Sequence, residues 1–439
     1  MSLVKKGLSD SKYYLTASIG NKALTFLVIP ILAKTVGVEE FATYDLFLVI
    51  SSFFNILVIL GIDSGIAILL AESQDDDKVL SFLYVSTLLI GVALISVATL
   101  ILSLVFLYVD ELFLLGKEVW IYIGLYVLFT MISYHTFNFL RWREKAKQAS
   151  FVTLFSYISG MIIGLYFLYL DSTIEAYLQG LVLGVFVGTV VSLYIAREYI
   201  FKFQILDNSK ELLKELLQLS LPFVPNYLGN SLMQMADRVV ILMLFGKYEL
   251  GIYAVITKLA MIPQVLIGTL SGGFLPVMFR NYKTEKGKSL IKNFFHIYLL
   301  FIPVAFFVAY ILADWAVELF AGGDYVAFAY LLPMALVSIL FVQSGQANGF
   351  GYSIKRKTHY IMYITFFAVT INYIFSFLFG YWIGLEGVIL GTLIAGIFKT
   401  YFHTLYSERL YRFDYNFKLI IVISILSFVL VIFSGKGVL

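Results

Sequence analysis

The chain alternates long apolar stretches with short polar segments. Most apolar stretches reach the roughly 20 residues that a helix needs to cross the hydrocarbon core of a bilayer. The pattern predicts twelve membrane-spanning helices, at residues 13–35, 41–62, 79–109, 118–140, 148–170, 174–197, 216–245, 250–277, 290–313, 325–350, 358–380 and 385–407. A further apolar stretch, 417–434, is either a thirteenth span or an interfacial helix. The sequence thus predicts an all-α, polytopic membrane protein.

Lysine and arginine are unevenly distributed among the segments that join these helices. From the N-terminus onward they accumulate in every second segment, with the largest groups at residues 141–147, 197–214, 280–292 and 355–357. The intervening segments contain Lys34, Lys117 and Lys247. Because cytoplasmic loops are enriched in basic residues, we expect the N-terminus and the basic segments to lie in the cytoplasm. The acidic run 75–77 falls on the same side, but acidic residues contribute little to this rule.

The two halves of the chain share a weak internal repeat. A shift of 209 positions aligns Gly20, Asn21, Gly37, Glu40 and Tyr44 with Gly229, Asn230, Gly246, Glu249 and Tyr253. A shift of 207 aligns Leu178, Gly180, Leu183, Gly184 and Tyr194 with Leu385, Gly387, Leu390, Gly391 and Tyr401. Repeats of this kind are common in membrane transporters, and an even number of helices per repeat gives both halves the same orientation. We therefore expect two six-helix lobes related by an axis along the membrane normal, with a cavity between them.

The domain organisation follows from the repeat. We expect an N-terminal lobe over residues 1–197, a cytoplasmic linker over 198–215 and a C-terminal lobe over 216–408. Residues 409–439 form a tail that contains the additional apolar stretch. The linker should be partly helical, because its leucines fall on one helical face beside lysines and glutamates.

Composition agrees with a membrane location and excludes several kinds of site. Of the 439 residues, 61% are hydrophobic and 13% are charged, against about 45–50% and 25% in soluble domains. The chain has no cysteine, so a disulfide, a thiolate metal site and a cysteine nucleophile are excluded. No phosphate-binding loop, metal-spaced histidine cluster or nucleophile–base motif is present, and we expect no catalytic residue, cofactor or metal. The net charge of +3 gives no indication of nucleic acid binding.

A few charged residues lie inside the predicted spans, where charge is costly unless it faces protein or a water-filled cavity. They are Lys22, Asp237, Arg238, Lys258 and Lys399. Lys22 lies near the middle of its span, whereas Lys258 and Lys399 either face the cavity or extend toward an interface. Asp237 either neutralises a neighbouring cation or contributes to the site. Because cations outnumber carboxylates, we expect a net positive central cavity and an anionic substrate.

Uncharged polar residues recur at helical spacing in three predicted spans. They are Asn230 and Gln234 beside Arg238 in the seventh span, His135 and Asn138 in the fourth, and Gln343 and Gln346 in the tenth. The last two pairs align at a shift of 208, which places polar groups at matching heights in both lobes. Such residues either line a substrate pathway or form hydrogen bonds between helices. We include all of them, with the four cations, as candidate substrate-binding residues.

Several short motifs carry a family resemblance. They are Leu221-Pro222, Asp237-Arg238, Gly251-Ile252-Tyr253 with Lys258, the basic turn Lys355-Arg356-Lys357-Thr358, and the stretch from Leu385 to Thr392. In their order and spacing, over about residues 5–408, the chain resembles the oligosaccharide flippase (polysaccharide transporter) family of the MOP superfamily. No single motif is specific, and the length of the tail after residue 408 varies among family members.

The resemblance implies a carrier of the bacterial inner membrane that works by alternating access. Its substrate would be a polyprenyl-pyrophosphate-linked oligosaccharide, moved outward for assembly of O-antigen, capsule or exopolysaccharide. Helices 1 and 7, with Lys22 and Arg238, would line a basic central cavity. The implied partners are this lipid-linked oligosaccharide, the lipid bilayer and glycan assembly proteins.

Three alternatives remain open at this point. A peptidoglycan lipid precursor flippase and a cation-coupled multidrug exporter belong to the same superfamily. A multidrug exporter would need membrane carboxylates, whereas cations dominate here. A membrane glycan polymerase or ligase would need a substantial outer loop with catalytic arginine or histidine, and the predicted outer loops are short. The sequence therefore favours a flippase over an enzyme.

Overall fold

The computed structural model describes residues 3–72, 77–355, 357 and 359–435, and within these residues it contains helices and no strands. The side chains of some helical residues, including Lys22, lie outside the described set. The helices are α1 (Leu3–Thr35), α2 (Val38–Ile59), α3 (Ile62–Glu72), α4 (Asp77–Phe113), α5 (Lys117–Trp142), α6 (Ala146–Leu170), α7 (Ile174–Ile195), α8 (Arg197–Phe201), α9 (Ser209–Ser220), α10 (Val224–Leu244), α11 (Lys247–Ala260), α12 (Ile262–Asn281), α13 (Glu285–Ala321), α14 (Gly323–Val326), α15 (Leu331–Gln343), α16 (Gly345–Asn348), α17 (Phe350–Lys355), α18 (His359–Ile383), α19 (Leu385–Leu410) and α20 (Phe417–Ser434).

Ten helical segments of the described chain are long and apolar enough to cross a membrane. They are α2, the Asp77–Ile101 part of α4, α5, α6, α7, α13, the continuous segment Leu331–Lys355, α18, α19 and α20. The predicted all-α membrane fold is confirmed, whereas the count of twelve spans is not. The apolar stretch 417–434 forms α20, which meets the criteria of a span in length and composition.

The first, seventh and eighth predicted spans are not among these ten segments, whereas α20 is an addition to the predicted twelve. Within the described residues of α1, the apolar helix Ala23–Thr35 is shorter than a span. Polar and charged residues lower the hydropathy of α10, which contains Asp237 and Arg238. The eighth span is divided at Met261 into α11 and α12. Pro263 follows this break, and its ring and missing N–H are tolerated in the first turn of a new helix.

Two contacts agree with the order of the spans. Lys202 Nζ lies 2.8 Å from Asp77 Oδ2, and the Tyr411 hydroxyl donates to the Tyr282 carbonyl at 3.2 Å. Residues that touch lie on the same side of a membrane, and an even number of candidate spans separates each pair. The hydrogen bond with Asp77 also raises the pKa of the Lys202 ammonium group. Both side chains are more than half exposed, so this pair contributes little to stability.

The chain divides into two compact units. The first comprises Met1–Val36 with Thr43–Ser231, and the second comprises Gly37–Ala42 with Leu232–Leu439. The division falls inside α10 and not in the expected linker, 198–215, which belongs to the first unit. The reason is that α9 packs against α3: the side chain of Leu216 is fully buried in a cluster with Ile62 and Ile66.

Close helix packing recurs in both units at glycines that the sequence repeat aligns. In the first unit, a Cβ atom on Gly184 of α7 would lie 2.3 Å from the Ser159 carbonyl oxygen of α6. In the second unit, a Cβ atom on Gly391 of α19 would lie 2.3 Å from the Ser376 amide nitrogen of α18. Small residues let membrane helices approach closely, so the repeat marks one packing device that each unit uses.

Candidate functional site

The first unit contains a cavity of about 710 Å³ between α1, α2, α5, α6 and α7. Such a volume is within the range of roughly 300–1,000 Å³ that is usual for small-molecule sites. More than half of the lining residues carry a hydroxyl or an amide, among them Asn21, Thr25, Ser52, Asn55, Thr130 and Ser156. Apolar residues such as Leu48 and Leu181 complete the wall. No charged residue is among those described as lining the cavity.

Five tyrosines form the aromatic part of the wall. They are Tyr44, Tyr126, Tyr134, Tyr157 and Tyr177. The rings of Tyr44 and Tyr177 meet edge to face with centroids 5.8 Å apart. Gly164 of α6 makes room for the Tyr177 ring, because a Cβ atom there would lie 2.9 Å from it. Packing therefore fixes Tyr44 and Tyr177, which are both buried, whereas Tyr157 is 47% exposed.

Hydrogen bonds organise part of the polar wall and leave part of it available. The Thr130 hydroxyl donates to Asn55 Oδ1 at 3.2 Å, and Asn55 Nδ2 donates to the Ser51 carbonyl. Asn21 Oδ1 and Ser156 Oγ have no hydrogen-bond partner among the described residues. A buried polar group without a partner costs about 1–3 kcal/mol, so each of these groups would gain from a hydrogen bond to a ligand.

An acidic side chain lies behind one end of this wall. The Tyr134 hydroxyl donates to Asp63 Oδ2 at 3.0 Å, and Asp63 is not among the lining residues. The hydrogen bond orients Tyr134, whose ring faces the cavity. Sequence reasoning missed the tyrosines, although the repeat did single out Tyr44. Their positions on four different helices give no common spacing along the chain.

None of the predicted site residues of the first unit is among the residues described as lining this cavity. The side chain of Lys22 lies outside the described residues, and the residue before it, Asn21, lines the cavity. His135 and Asn138 are 3% and 2% exposed and are not among the lining residues. Asn138 Nδ2 donates to the Tyr134 carbonyl at 3.1 Å, a bond within α5.

In the second unit, Asp237 is the centre of a buried polar network. Its Oδ1 atom accepts hydrogen bonds from Asn372 Nδ2 at 3.0 Å and from the Thr392 hydroxyl at 2.9 Å. Its Oδ2 atom accepts a hydrogen bond from the Tyr253 hydroxyl. The network connects α10 with α11, α18 and α19, and Asp237 is only 3% exposed. Three neutral donors thus satisfy the carboxylate, an arrangement that the sequence did not predict.

Arg238 lies next to this network and is also buried. Its guanidinium carbon lies 5.3 Å from the centroid of the Tyr253 ring, within the range of a cation–π contact. Its Nη1 atom donates to the Gln234 carbonyl at 3.0 Å, one turn earlier in α10. The Tyr253 ring therefore contacts both charged residues of the Asp237-Arg238 motif, one through its hydroxyl and the other through its face.

Lys399 is a deeply placed cation of α19, 6% exposed. His403 follows one turn later and is 2% exposed, and neither of its ring nitrogens has a hydrogen-bond partner among the described residues. Tyr352 of α17 donates to the His403 carbonyl at 3.0 Å and packs against the ring. Lys258, in contrast, is half-buried near the end of α11.

The remaining polar candidates make local hydrogen bonds. Asn230 Nδ2 donates to the Asn226 carbonyl at 3.0 Å within α10. Gln346 Nε2 lies 3.4 Å from Gln343 Oε1, at the boundary between α15 and α16. The predicted site residues are therefore distributed over the two units.

The comparison with known protein families identifies the chain. The family model described as "Polysaccharide biosynthesis protein" matches residues 8–282, which is more than half of the sequence. The chain belongs to this family. Among the curated relatives of this polysaccharide biosynthesis family member is the capsular polysaccharide biosynthesis protein CapF of Staphylococcus aureus. The two are 22% identical over 346 residues, which cover 77% of this chain and 83% of CapF.

Solved structures show the fold of this polysaccharide biosynthesis family member. The lipid II flippase MurJ, in an inward closed conformation, matches with a TM-score of 0.67 at 16% identity, covering 98% of this chain and 93% of MurJ. An inward-facing multidrug resistance MATE family transporter of the MOP superfamily also matches with a TM-score of 0.67. The identity is 18%, and the match covers 90% of this chain and 95% of the transporter. The family match confirms the expected resemblance to a polysaccharide biosynthesis family, and the protein is a multi-pass membrane protein with the fold of these transporter and flippase structures.

Proposed function

We propose that the protein is a flippase for a polyprenyl-pyrophosphate-linked oligosaccharide of the bacterial inner membrane. It would move this substrate to the outer leaflet by alternating access, for assembly of O-antigen, capsule or exopolysaccharide. The observation that carries the proposal is the combination of family and fold. The chain belongs to a polysaccharide biosynthesis family and has the fold of membrane transporters.

The chemistry of the substrate agrees with the side chains of the two units. A pyrophosphate group needs fixed cations when it leaves water, and charge-assisted hydrogen bonds are the strongest means of holding it. Arg238 and Lys399 are buried cations, and Lys22 and Lys258 complete the proposed set. The glycan needs many hydrogen-bonding groups, and the proposed ones are Asn230, Gln234, His135, Asn138, Gln343 and Gln346.

Two alternatives within the superfamily have some support from the fold. The equal TM-scores of MurJ and the MATE transporter mean that fold likeness does not choose between a flippase and an exporter. A multidrug exporter for cations would call for acidic groups in its binding cavity, and no carboxylate is described as lining the cavity of the first unit. The family match favours polysaccharide assembly over both alternatives.

A deletion strain tests the proposal. We expect loss of the surface glycan and accumulation of lipid-linked oligosaccharide on the cytoplasmic side, both restored by the gene on a plasmid. Lethality with accumulation of peptidoglycan precursor would instead indicate a peptidoglycan flippase. Normal surface glycan with increased sensitivity to cationic drugs would indicate an exporter.

A further inference from the structure

The cavity of the first unit differs in chemistry from the site that a pyrophosphate requires. Its described lining has hydroxyls, amides, tyrosine rings and apolar side chains but no charged group. An uncompensated ionic group is strongly disfavoured in such surroundings. The described wall is therefore suited to an uncharged ligand with many hydroxyl groups, and it supplies no ionic partner for a diphosphate or for a cationic drug.

The tyrosines supply a second recognition feature. Tyr44 and Tyr177 are buried and fixed by edge-to-face packing, whereas Tyr157 presents 47% of its surface. A tyrosine side chain offers a broad apolar face together with a hydroxyl that bonds to water or a ligand. Pyranose rings have the complementary form, with an apolar face of C–H groups and a rim of hydroxyls.

Hydrogen-bonding groups are available around these rings. Asn21 Oδ1 has no partner among the described residues, and Ser52 is exposed on α2. Both residues line the same cavity as Tyr157, and the three residues lie on three different helices. A ligand in this space would therefore meet donors and acceptors on several sides, as a sugar with hydroxyls around its ring requires.

We infer that the described wall of the cavity in the first unit binds uncharged sugar residues of the transported glycan, and that cations outside this wall bind the pyrophosphate. The inference rests on the proposed flippase function and adds which part of the substrate the cavity recognises. Tyr157 stacks on a sugar ring, and hydroxyl and amide side chains of the wall bind the sugar hydroxyls. In this arrangement the first unit determines glycan specificity, since the pyrophosphate is common to all substrates of this class.

Labelling of a single cysteine in the full-length protein, purified in lipid nanodiscs, tests the inference. The chain has no cysteine, so Ser52→Cys places one thiol of similar size on the cavity wall. Gln148→Cys, exposed on α6 and outside the cavity lining, is the matched control. The neutral oligosaccharide repeat released from the host's surface polysaccharide should slow labelling of Ser52→Cys several-fold and leave Gln148→Cys unaffected. Inorganic pyrophosphate should leave both rates unchanged.

A second pair of variants tests the stacking interaction. In the Ser52→Cys background, Tyr157→Phe keeps an aromatic face and should retain protection by the oligosaccharide, whereas Tyr157→Ala should lose it. Protection by pyrophosphate or by a lipophilic cation in place of the oligosaccharide overturns the inference, and so does equal protection of both tyrosine variants. Loss of surface glycan in the deletion strain without protection of Ser52→Cys overturns the inference alone. Normal surface glycan in that strain overturns the proposed function.

Discussion

Tyr253 donates a hydrogen bond to Asp237, and this contact joins α11 to α10 within the second unit. Asn372 and Thr392 occupy the other carboxylate oxygen, so three neutral donors satisfy a buried acid. In the sequence repeat, Tyr253 corresponds to Tyr44, which lines the cavity of the first unit. Equivalent tyrosines thus serve a polar network in one unit and a cavity wall in the other.

Replacement of Asp237 by alanine tests how far this network stabilises the fold. The change removes the acceptor that Tyr253, Asn372 and Thr392 share. Thr392 keeps the Val388 carbonyl at 3.1 Å as an alternative acceptor, and each group that stays unpaired costs about 1–3 kcal/mol. We expect Asp237→Ala to lower the unfolding temperature in detergent by several degrees, and Asp237→Asn, which keeps an acceptor oxygen, to lower it less. Asp324→Ala, at an exposed position of α14, should leave it unchanged. Equal unfolding temperatures for the two alanine variants would contradict a stabilising network.

Removal of Arg238 tests the contribution of buried positive charge to transport. We expect Arg238→Ala to reduce export of surface glycan strongly with normal membrane insertion, because a guanidinium can hold phosphate oxygens with paired donors. Arg280→Ala, exposed on α12, is the matched control and should retain export at equal expression. Normal export by Arg238→Ala would remove this residue from the proposed pyrophosphate site.

A double variant separates transport from a structural role of the same arginine. If Arg238 mainly compensates the charge of Asp237, then Asp237→Asn combined with Arg238→Gln should regain the export that Arg238→Gln loses. We expect no such recovery, because neutral donors already satisfy the carboxylate of Asp237. Export by the double variant at the wild-type level would show that the pair is structural.

The helical membrane fold and the family could be predicted from the sequence, whereas the predicted count of twelve spans is not confirmed within the described residues. Hydropathy depends on long apolar stretches, and α10 is a helix whose polar residues lower its hydropathy. The glycine pairs of the repeat, in contrast, stand out in the sequence because close helix packing restricts residue size at fixed positions. Gly184 and Gly391, which the repeat aligns, both lie at close helix crossings.

The candidate site was less accessible from the sequence. A polar residue in a membrane helix either lines a cavity or forms hydrogen bonds within or between helices, and the same residue types are used in both cases. Asn138 was expected to bind substrate, and its amide is used within α5. Asn372 was not predicted as a functional residue, and Thr392 was noted only as the end of a family motif, although both hold the buried acid.

Substitution of Gly184 tests the close approach of α6 and α7. An added methyl group would lie 2.3 Å from the Ser159 carbonyl oxygen, a backbone atom that cannot move without shifting the helix. We expect Gly184→Ala to reduce the yield of folded protein and its unfolding temperature. Gly124→Ala is the control, because nothing lies within 4 Å of an added Cβ atom there. That change should be neutral or stabilise the helix by about 0.5–1 kcal/mol. A stable Gly184→Ala protein would show that the helices are farther apart.

Cysteine labelling in intact cells tests the orientation of the chain in the membrane. Gln148 lies near the start of α6 and Asp171 directly follows its end, and both are exposed. A helix of 25 residues is long enough to cross the bilayer, so the two positions lie on opposite sides. We expect Asp171→Cys to react with an impermeant thiol reagent in intact cells, and Gln148→Cys to react only after permeabilisation, because the basic segment 141–147 favours the cytoplasm. The reverse pattern would invert the topology, and labelling of both in intact cells would contradict α6 as a span.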